Sequence, residues 1–173
     1  MREETKTLYE TETDPCPHLD IECFGIPTMF IVDTGCIESR VTYKTLELWG
    51  MPAADGQELI RVDMKLKGTI YTVDFYIENL IDNLLGTDFL CQFNCTLDLR
   101  SPMTLTLRDS VPSTEKIVKP LIMLNVAGQD IEVVLDSGTV LPLMGSMSLA
   151  QKLNMSLIDV SHECSPITIN NGT

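Results

Sequence analysis

The chain has 173 residues, 44% hydrophobic and 21% charged, enough to bury a core and too apolar for a fully disordered chain. With 25 acidic against 12 basic residues the net charge is −13, which repels phosphate backbones and anionic membrane surfaces, so neither nucleic acid nor a membrane is an expected partner. No apolar run reaches the ~18 residues of a transmembrane helix, and the N-terminus lacks the apolar core of about 7–15 residues that marks a secretory signal.

Residues 1–17 carry five acidic and two basic residues with prolines at 15 and 17, and read as a flexible acidic leader. From Leu19 the pattern is β-like: Leu19, Ile21 and Cys23 alternate with Asp20 and Glu22, and Gly25 turns the chain. Phe30-Ile31-Val32 is a continuous apolar run, the mark of a strand buried on both faces, and it stops at Asp33-Thr34-Gly35. The spacing predicts a short helix over about 43–49, with Thr42 as N-cap and Gly50 past its end. A hairpin is predicted over 58–78. Ile60, Val62, Met64 and Leu66 share one face, Lys67-Gly68 turns, and Tyr71, Val73, Phe75 and Ile77 repeat the alternation. Leu84-Leu85-Gly86 follows, then a helical turn over 88–93 and strands over 95–99 and 103–107 separated by Ser101-Pro102. Residues 109–116 are a linker by composition.

An internal repeat then appears. A shift of 103 residues lays Asp33 on Asp136, Gly35 on Gly138, Gly25 on Gly128, and Phe30-Ile31-Val32 on Val133-Val134-Leu135. A helix recurs over about 146–153. The second copy has no counterpart of the 58–78 hairpin or of Leu84-Leu85-Gly86, so the chain reads as a full unit over 18–108 and the N-terminal half of a second over 117–173.

The six cysteines fall at 16, 23, 36, 91, 95 and 164 with no Cys-x-x-Cys pair, and read as the reduced thiols of a cytoplasmic protein. Cys16, His18 and Cys23 offer three zinc ligands with no fourth in view, so no metal and no other cofactor is expected. Trp49 reads as a packing anchor, and Met51, Met64, Met103 and Met123 as core filler.

The chemistry is concentrated in the two Asp-Thr/Ser-Gly motifs. A carboxylate at the end of an apolar strand is costly unless hydrogen-bonded or paired. Glycine two residues on lets a backbone N–H approach that carboxylate, and the intervening Thr34 or Ser137 brings a hydroxyl for a facing loop. Two such carboxylates side by side cannot both ionise. They share a proton, and one serves as base and the other as acid toward a water between them.

Phe30-Ile-Val-Asp-Thr-Gly-Cys-Ile-Glu-Ser39, Asn83-Leu-Leu-Gly-Thr-Asp-Phe-Leu90 and Cys95-Thr-Leu-Asp-Leu99 resemble the active-site strand, the second motif and the segment after it in the retropepsin-like aspartic proteases, the family of retroviral, retrotransposon and domesticated retroelement proteases. The resemblance implies an all-β acid protease fold, a closed barrel-like lobe with short helices, one catalytic Asp per lobe and an active site made by two lobes. It implies Asp33 and Asp136 as catalytic carboxylates, with Thr34, Gly35, Ser137, Gly138, Leu85 and Gly86 supporting the loops. It also implies a peptide or polyprotein substrate covered by a β-hairpin flap. The chain departs from the family pattern in carrying Cys36 after the first glycine and Thr139 after the second, and only Met51–Gln57 where the flap belongs.

The expected function is therefore an aspartic endopeptidase of retroelement origin. The rival is a catalytically inactive interaction or dimerisation module on the same fold. Asp33 is expected to meet Asp136 in an intrachain pseudo-dimer, since the eight-residue linker can span up to about 26–29 Å. The other arrangement is a homodimer in which Asp33 faces its mate on a second chain.

Overall fold

The computed structural model describes residues 3–108, 119–139 and 145–155. The first unit is built on a closed six-stranded barrel. Its strands are β2 (His18–Cys23), β3 (Ile26–Val32), β4 (Arg40–Thr42), β5 (Leu59–Leu66), β6 (Thr69–Glu78) and β7 (Leu84–Leu85), in the order β2-β3-β7-β4-β6-β5, with β5 returning to β2 through Glu22↔Lys65 and Cys23↔Met64. The predicted alternation sets the register. Ile60, Val62, Met64 and Leu66 point inward from β5, and Tyr71, Val73, Phe75 and Ile77 from β6. They close on Phe30 and Val32, with the Phe30 and Phe75 rings stacked 5.5 Å apart. Each such large apolar side chain contributes about 1.5–3 kcal/mol on burial. Phe24-Gly25, Lys67-Gly68 and Ala127-Gly128 are two-residue turns with positive φ at both positions, the geometry whose twist matches a hairpin.

Helix α1 (Tyr43–Leu48) is capped by Thr42, whose side chain accepts from the Thr45 N–H, and Gly50 at φ 70° ends it. Helix α2 (Thr87–Gln92) follows Gly86. Trp49 is buried, its Nε1–H donating to Thr28 Oγ1 at 2.9 Å. Residues 51–58 join α1 to β5 through a turn at Asp55-Gly56 and contain no strand. Asn83 locks the barrel from inside. Its Oδ1 accepts from the Thr42 N–H and the Thr45 hydroxyl, and its Nδ2 donates to the Met29 carbonyl.

The N-terminal segment differs from expectation. Residues 3–7, read from composition as part of a flexible leader, form β1 (Glu3–Thr7), which joins β8 (Thr96–Asp98) and β9 (Thr104–Arg108) in a sheet ordered β1-β9-β8. Leu8 behind it is buried. An edge strand needs backbone partners and cross-strand pairs rather than a run of apolar residues. Here the Glu3–Arg108 ion pair and the Thr5–Thr106 hydroxyl bond supply the pairs. The methionines also split. Met64 is buried and Met103 packs on the core, but Met51 and Met123 are 38% and 61% exposed.

The second unit shows β10 (Leu121–Val126), β11 (Gln129–Val134) and α3 (Met147–Lys152), with Ser146 capping α3. β10 and β11 form a separate two-stranded sheet. Leu124, Val126, Ile131, Val133, Leu149 and Leu153 line a groove of about 210 Å³. The repeat equivalents of the first four, Ile21, Cys23, Thr28 and Phe30, are buried in the barrel. The linker 109–116 and residues 156–173 lie outside the described residues.

Replacing Asn83 by alanine takes a partner from two buried groups, the Thr42 N–H and the Thr45 hydroxyl, and from the part-buried Met29 carbonyl. The expected cost is about 2–4 kcal/mol, read as a lower urea midpoint in far-ultraviolet circular dichroism; an unchanged midpoint contradicts this role for Asn83.

Candidate active site at the junction of the two repeats

Strand β3 delivers Asp33 to the barrel rim. Its backbone N–H donates to the Leu85 carbonyl at 2.9 Å, so β7 fixes where the strand ends. Its carboxylate Oδ1 accepts from the Gly35 N–H at 2.8 Å and the Cys36 N–H at 3.1 Å. In the second copy Asp136 Oδ1 accepts from the Gly138 N–H at 2.9 Å. The repeat also runs further back than the motifs suggest. The Val32 N–H donates to the Pro17 carbonyl and the Leu135 N–H to the Pro120 carbonyl, both at 2.9 Å, and these prolines are themselves 103 residues apart.

The two loops meet within one chain, joined by a reciprocal set of hydrogen bonds. The Thr34 N–H donates to Ser137 Oγ and the Ser137 N–H to Thr34 Oγ1, each at 3.0 Å. The Thr34 hydroxyl donates to the Leu135 carbonyl and the Ser137 hydroxyl to the Val32 carbonyl, each at 2.6 Å. The arrangement is two-fold in character, as a repeat packed against itself requires. The glycines take part through what they lack. A Cβ on Gly35 would overlap the Asp136 carboxyl group, and a Cβ on Gly138 would overlap that of Asp33.

The loop of Asp33 is held from below by the β7–α2 corner. A Cβ on Gly86 would lie 2.9 Å from the Ile37 carbonyl oxygen, so the chains cross at backbone distance. The Thr87 and Asp88 N–H groups donate to the Cys36 and Ile37 carbonyls, each at 2.9 Å. Asp88 accepts from the Ser39 hydroxyl at 2.6 Å and the Ser39 N–H at 2.8 Å, and Ser39 Oγ accepts from the Gly86 N–H at 3.0 Å. Leu85 is fully buried. Asp88 and Asn83 escape a reading based on Leu-Leu-Gly alone. The available signal is a polar residue on each side of an apolar pair and glycine, which needs a reason when its neighbours are buried.

Burial, the Asp136 charge and the hydrogen bond between the two side chains push Asp33 up from the ordinary carboxylate range to about 6, against the lowering effect of the Gly35 and Cys36 N–H groups. Burial pushes the Cys16 thiol up to about 12, with further raising effects from its hydrogen bond to Asp14 and the charges of Asp14, Asp33 and Asp136. Burial also raises Cys36, whose Sγ donates to the Glu38 carbonyl at 3.1 Å. His18 is buried, with Nδ1 2.7 Å from the Cys16 carbonyl oxygen and its ring stacked on Tyr9. Among the described residues no group of three His, Cys, Asp or Glu side chains is placed to hold a metal ion, and no helix is long and apolar enough to cross a membrane.

No family model and no curated protein matches the sequence. Among solved structures, the chain is similar to a retropepsin-like aspartic protease from Rickettsia conorii at 14% identity and a TM-score of 0.50, over 61% of this chain and 92% of that one. The chain has the retropepsin-like fold. Further similar structures are the retroviral protease-like domain of Ddi1 from Leishmania major (18% identity, TM-score 0.44, 56% of this chain and 90% of that one) and EIAV protease complexed with the inhibitor HBY-793 (17%, 0.40, 53% and 100%). The closed barrel is the retropepsin-like lobe, and β10, β11 and α3 repeat part of it.

Gly138→Ala is expected to expel the Asp33 carboxyl group and break the reciprocal bonds. Nuclear Overhauser contacts between Thr34 and Ser137 should disappear while the barrel keeps its urea midpoint; retention of those contacts contradicts the close approach.

Proposed function

We propose that the chain is an aspartic endopeptidase of retroelement origin, with Asp33 and Asp136 as an intrachain catalytic pair. The observation that carries this reading is the reciprocal joining of the two Asp-Thr/Ser-Gly loops, each glycine lying against the other repeat's carboxyl group. The raised Asp33 supports it, because a pair that holds one proton offers a base and an acid together. The pair titrates as a unit, so neither role is assigned to one residue.

In the proposed reaction the ionised carboxylate takes a proton from a water between the two side chains as the water oxygen attacks the peptide carbonyl carbon. The protonated carboxyl gives its proton to the carbonyl oxygen. The tetrahedral diol then collapses: one hydroxyl returns its proton to the pair, the C–N bond breaks, and the leaving nitrogen takes a proton. Water is the only co-reactant. Thr34 and Ser137 act as positioning residues, fixing each loop to the other repeat's backbone. The substrate is an unfolded or extended peptide segment.

The strandless 51–58 connection and the uncovered groove of the second repeat favour a second reading, a retropepsin-like interaction module that binds without cleaving. Cleavage decides between them. Peptide-library digestion should show hydrolysis favoured by acid and blocked by pepstatin. The rate should fall as pH rises through about 6, because the proton that Asp33 retains at lower pH is then lost. Asp33→Asn and Asp136→Asn should each lose at least ~10³-fold in rate with unchanged circular dichroism. Cleavage that survives both substitutions, or that a metal chelator or thiol reagent stops, overturns the aspartic mechanism; peptide binding with no cleavage at any pH favours the module.

A further inference from the structure

We propose that the groove of the second repeat is the docking site of Ile167-Thr168-Ile169 of the same chain, which add to the free edge of β10 as a strand and turn their two isoleucines into the groove. The inference stands apart from cleavage and concerns what supports the Asp136 half of the molecule.

The backbone defines the free edge. The Leu135 N–H donates to the Pro120 carbonyl, which sets the phase of the antiparallel ladder. Ile122, Leu124 and Val126 exchange bonds with β11, and the N–H and C=O groups of Leu121, Met123 and Asn125 point the other way. Among the described residues no strand pairs with them. An edge of unpaired backbone groups beside an apolar face is a template for one more strand. The first repeat has the same phase, set by the Val32 N–H on Pro17, and there the edge is in use. His18 exchanges bonds with Tyr9 at 2.8 and 3.1 Å, and Glu22 and Cys23 pair with Lys65 and Met64 of β5.

The face beside that edge needs cover. Leu124 is 37% exposed, whereas its repeat equivalent Ile21 is 1% exposed. Leu149, on the opposite wall of the groove, corresponds to the buried Leu46. In the first repeat Met64 and Leu66 of β5 share one core with Ile21, Cys23 and Leu46.

The 103-residue shift names the occupant. The 58–78 hairpin as a whole has no counterpart, but the end of its first strand does. Met64, Lys65 and Leu66 fall on Ile167, Thr168 and Ile169, with apolar residues at the two inward positions and a polar one between. Met64 and Lys65 are the residues of β5 that pair with β2. Lys67-Gly68, both at positive φ, fall on Asn170-Asn171 with Gly172 next, residue types that accept that conformation. Pro166 falls on Asp63, which makes no pair with β2, so its missing N–H removes nothing from β10. Residues 156–166 match 53–63 without insertion, the stretch that brings the first repeat from beyond α1 to β5, so the tether is long enough. A second copy carries the same segment, but the tether holds the chain's own at roughly millimolar effective concentration. A net charge of −13 on each copy also opposes association. With the strand in place, the hairpin that leads into Asp136 is braced as β2 and β3 are behind Asp33, and the groove belongs to the fold rather than to a partner.

Nuclear magnetic resonance on the full chain tests this. Methyl contacts are expected between Ile167 and Val126, the pair that matches Met64 and Cys23, and the Asn125 amide should be protected from hydrogen exchange. Ile167→Asp combined with Ile169→Asp should abolish the contacts and lower the Asn125 protection at least ~10-fold, since burial of one isoleucine is worth more than that. Val62 in the barrel should keep its protection. Ile167→Val combined with Ile169→Val should retain the Asn125 protection, which separates loss of docking from loss of the fold. Absence of Ile167–Val126 contacts in the natural sequence, Asn125 protection that the aspartates leave unchanged, or protection that rises with protein concentration, the mark of a strand from a second copy, overturns the proposal. Asp33→Asn should leave the contacts in place. Pepstatin-sensitive hydrolysis without the contacts would sink the docked strand and leave the protease standing, whereas the contacts without hydrolysis would do the reverse.

Discussion

Two carboxyl groups pressed against each other across a pair of glycines impose the main constraint on this molecule. The space each occupies is the space a side chain at position 35 or 138 would need. Like charges in a partly buried site oppose ionisation of both, so protonation state and geometry are not independent variables here. The reciprocal Thr34 and Ser137 bonds hold the loops in register and confine their hydroxyls to backbone partners of the opposite repeat.

The barrel makes that constraint tolerable on one side. Asp33 leaves a strand buried on both faces, is tied to Leu85 by its own backbone, and has its loop gripped underneath by Ser39 and Asp88. Position therefore passes from the core to the carboxylate through hydrogen bonds at the β7–α2 corner. The second repeat has a shorter chain of support among the described residues. It keeps the hairpin, the Pro120 contact and a capped helix, but the face that corresponds to Ile21, Cys23 and Phe30 lines a groove. The same local sequence pattern is thus embedded in a full core in one repeat and displayed on a thin layer in the other.

What was legible in the sequence is what depends on near neighbours. The alternation in β5 and β6, the Thr42 cap, the Lys67-Gly68 turn and the two Asp-Thr/Ser-Gly loops are all encoded within a few residues, and the structure has them where the spacing puts them. The closed barrel and the retropepsin-like fold followed from combining motifs about 50 residues apart. Long-range polar contacts were not legible. Asp88 reaches Ser39 across 49 residues and Asn83 reaches Thr42 across 41, and no local pattern distinguishes such residues from surface polar ones. The strand β1 was hidden for a related reason. Its partner β9 lies about 100 residues away, and a polar edge strand has the composition of a disordered tail. The Pro17 and Pro120 pair was visible in principle, but a repeat is easiest to see where side chains are distinctive rather than where a carbonyl does the work.

The place of Trp49 decides what light can report about this protein. It is the sole tryptophan, it is buried at the end of α1, and it packs against Phe24 with ring centroids 5.5 Å apart. Its indole is anchored to Thr28 inside the first repeat, and the second repeat has Leu153 at the corresponding end of α3. Intrinsic emission therefore follows the integrity of the barrel and is silent about the other half of the chain. A constant emission maximum leaves the state of the second repeat unread, and an optical probe of that half has to be introduced there.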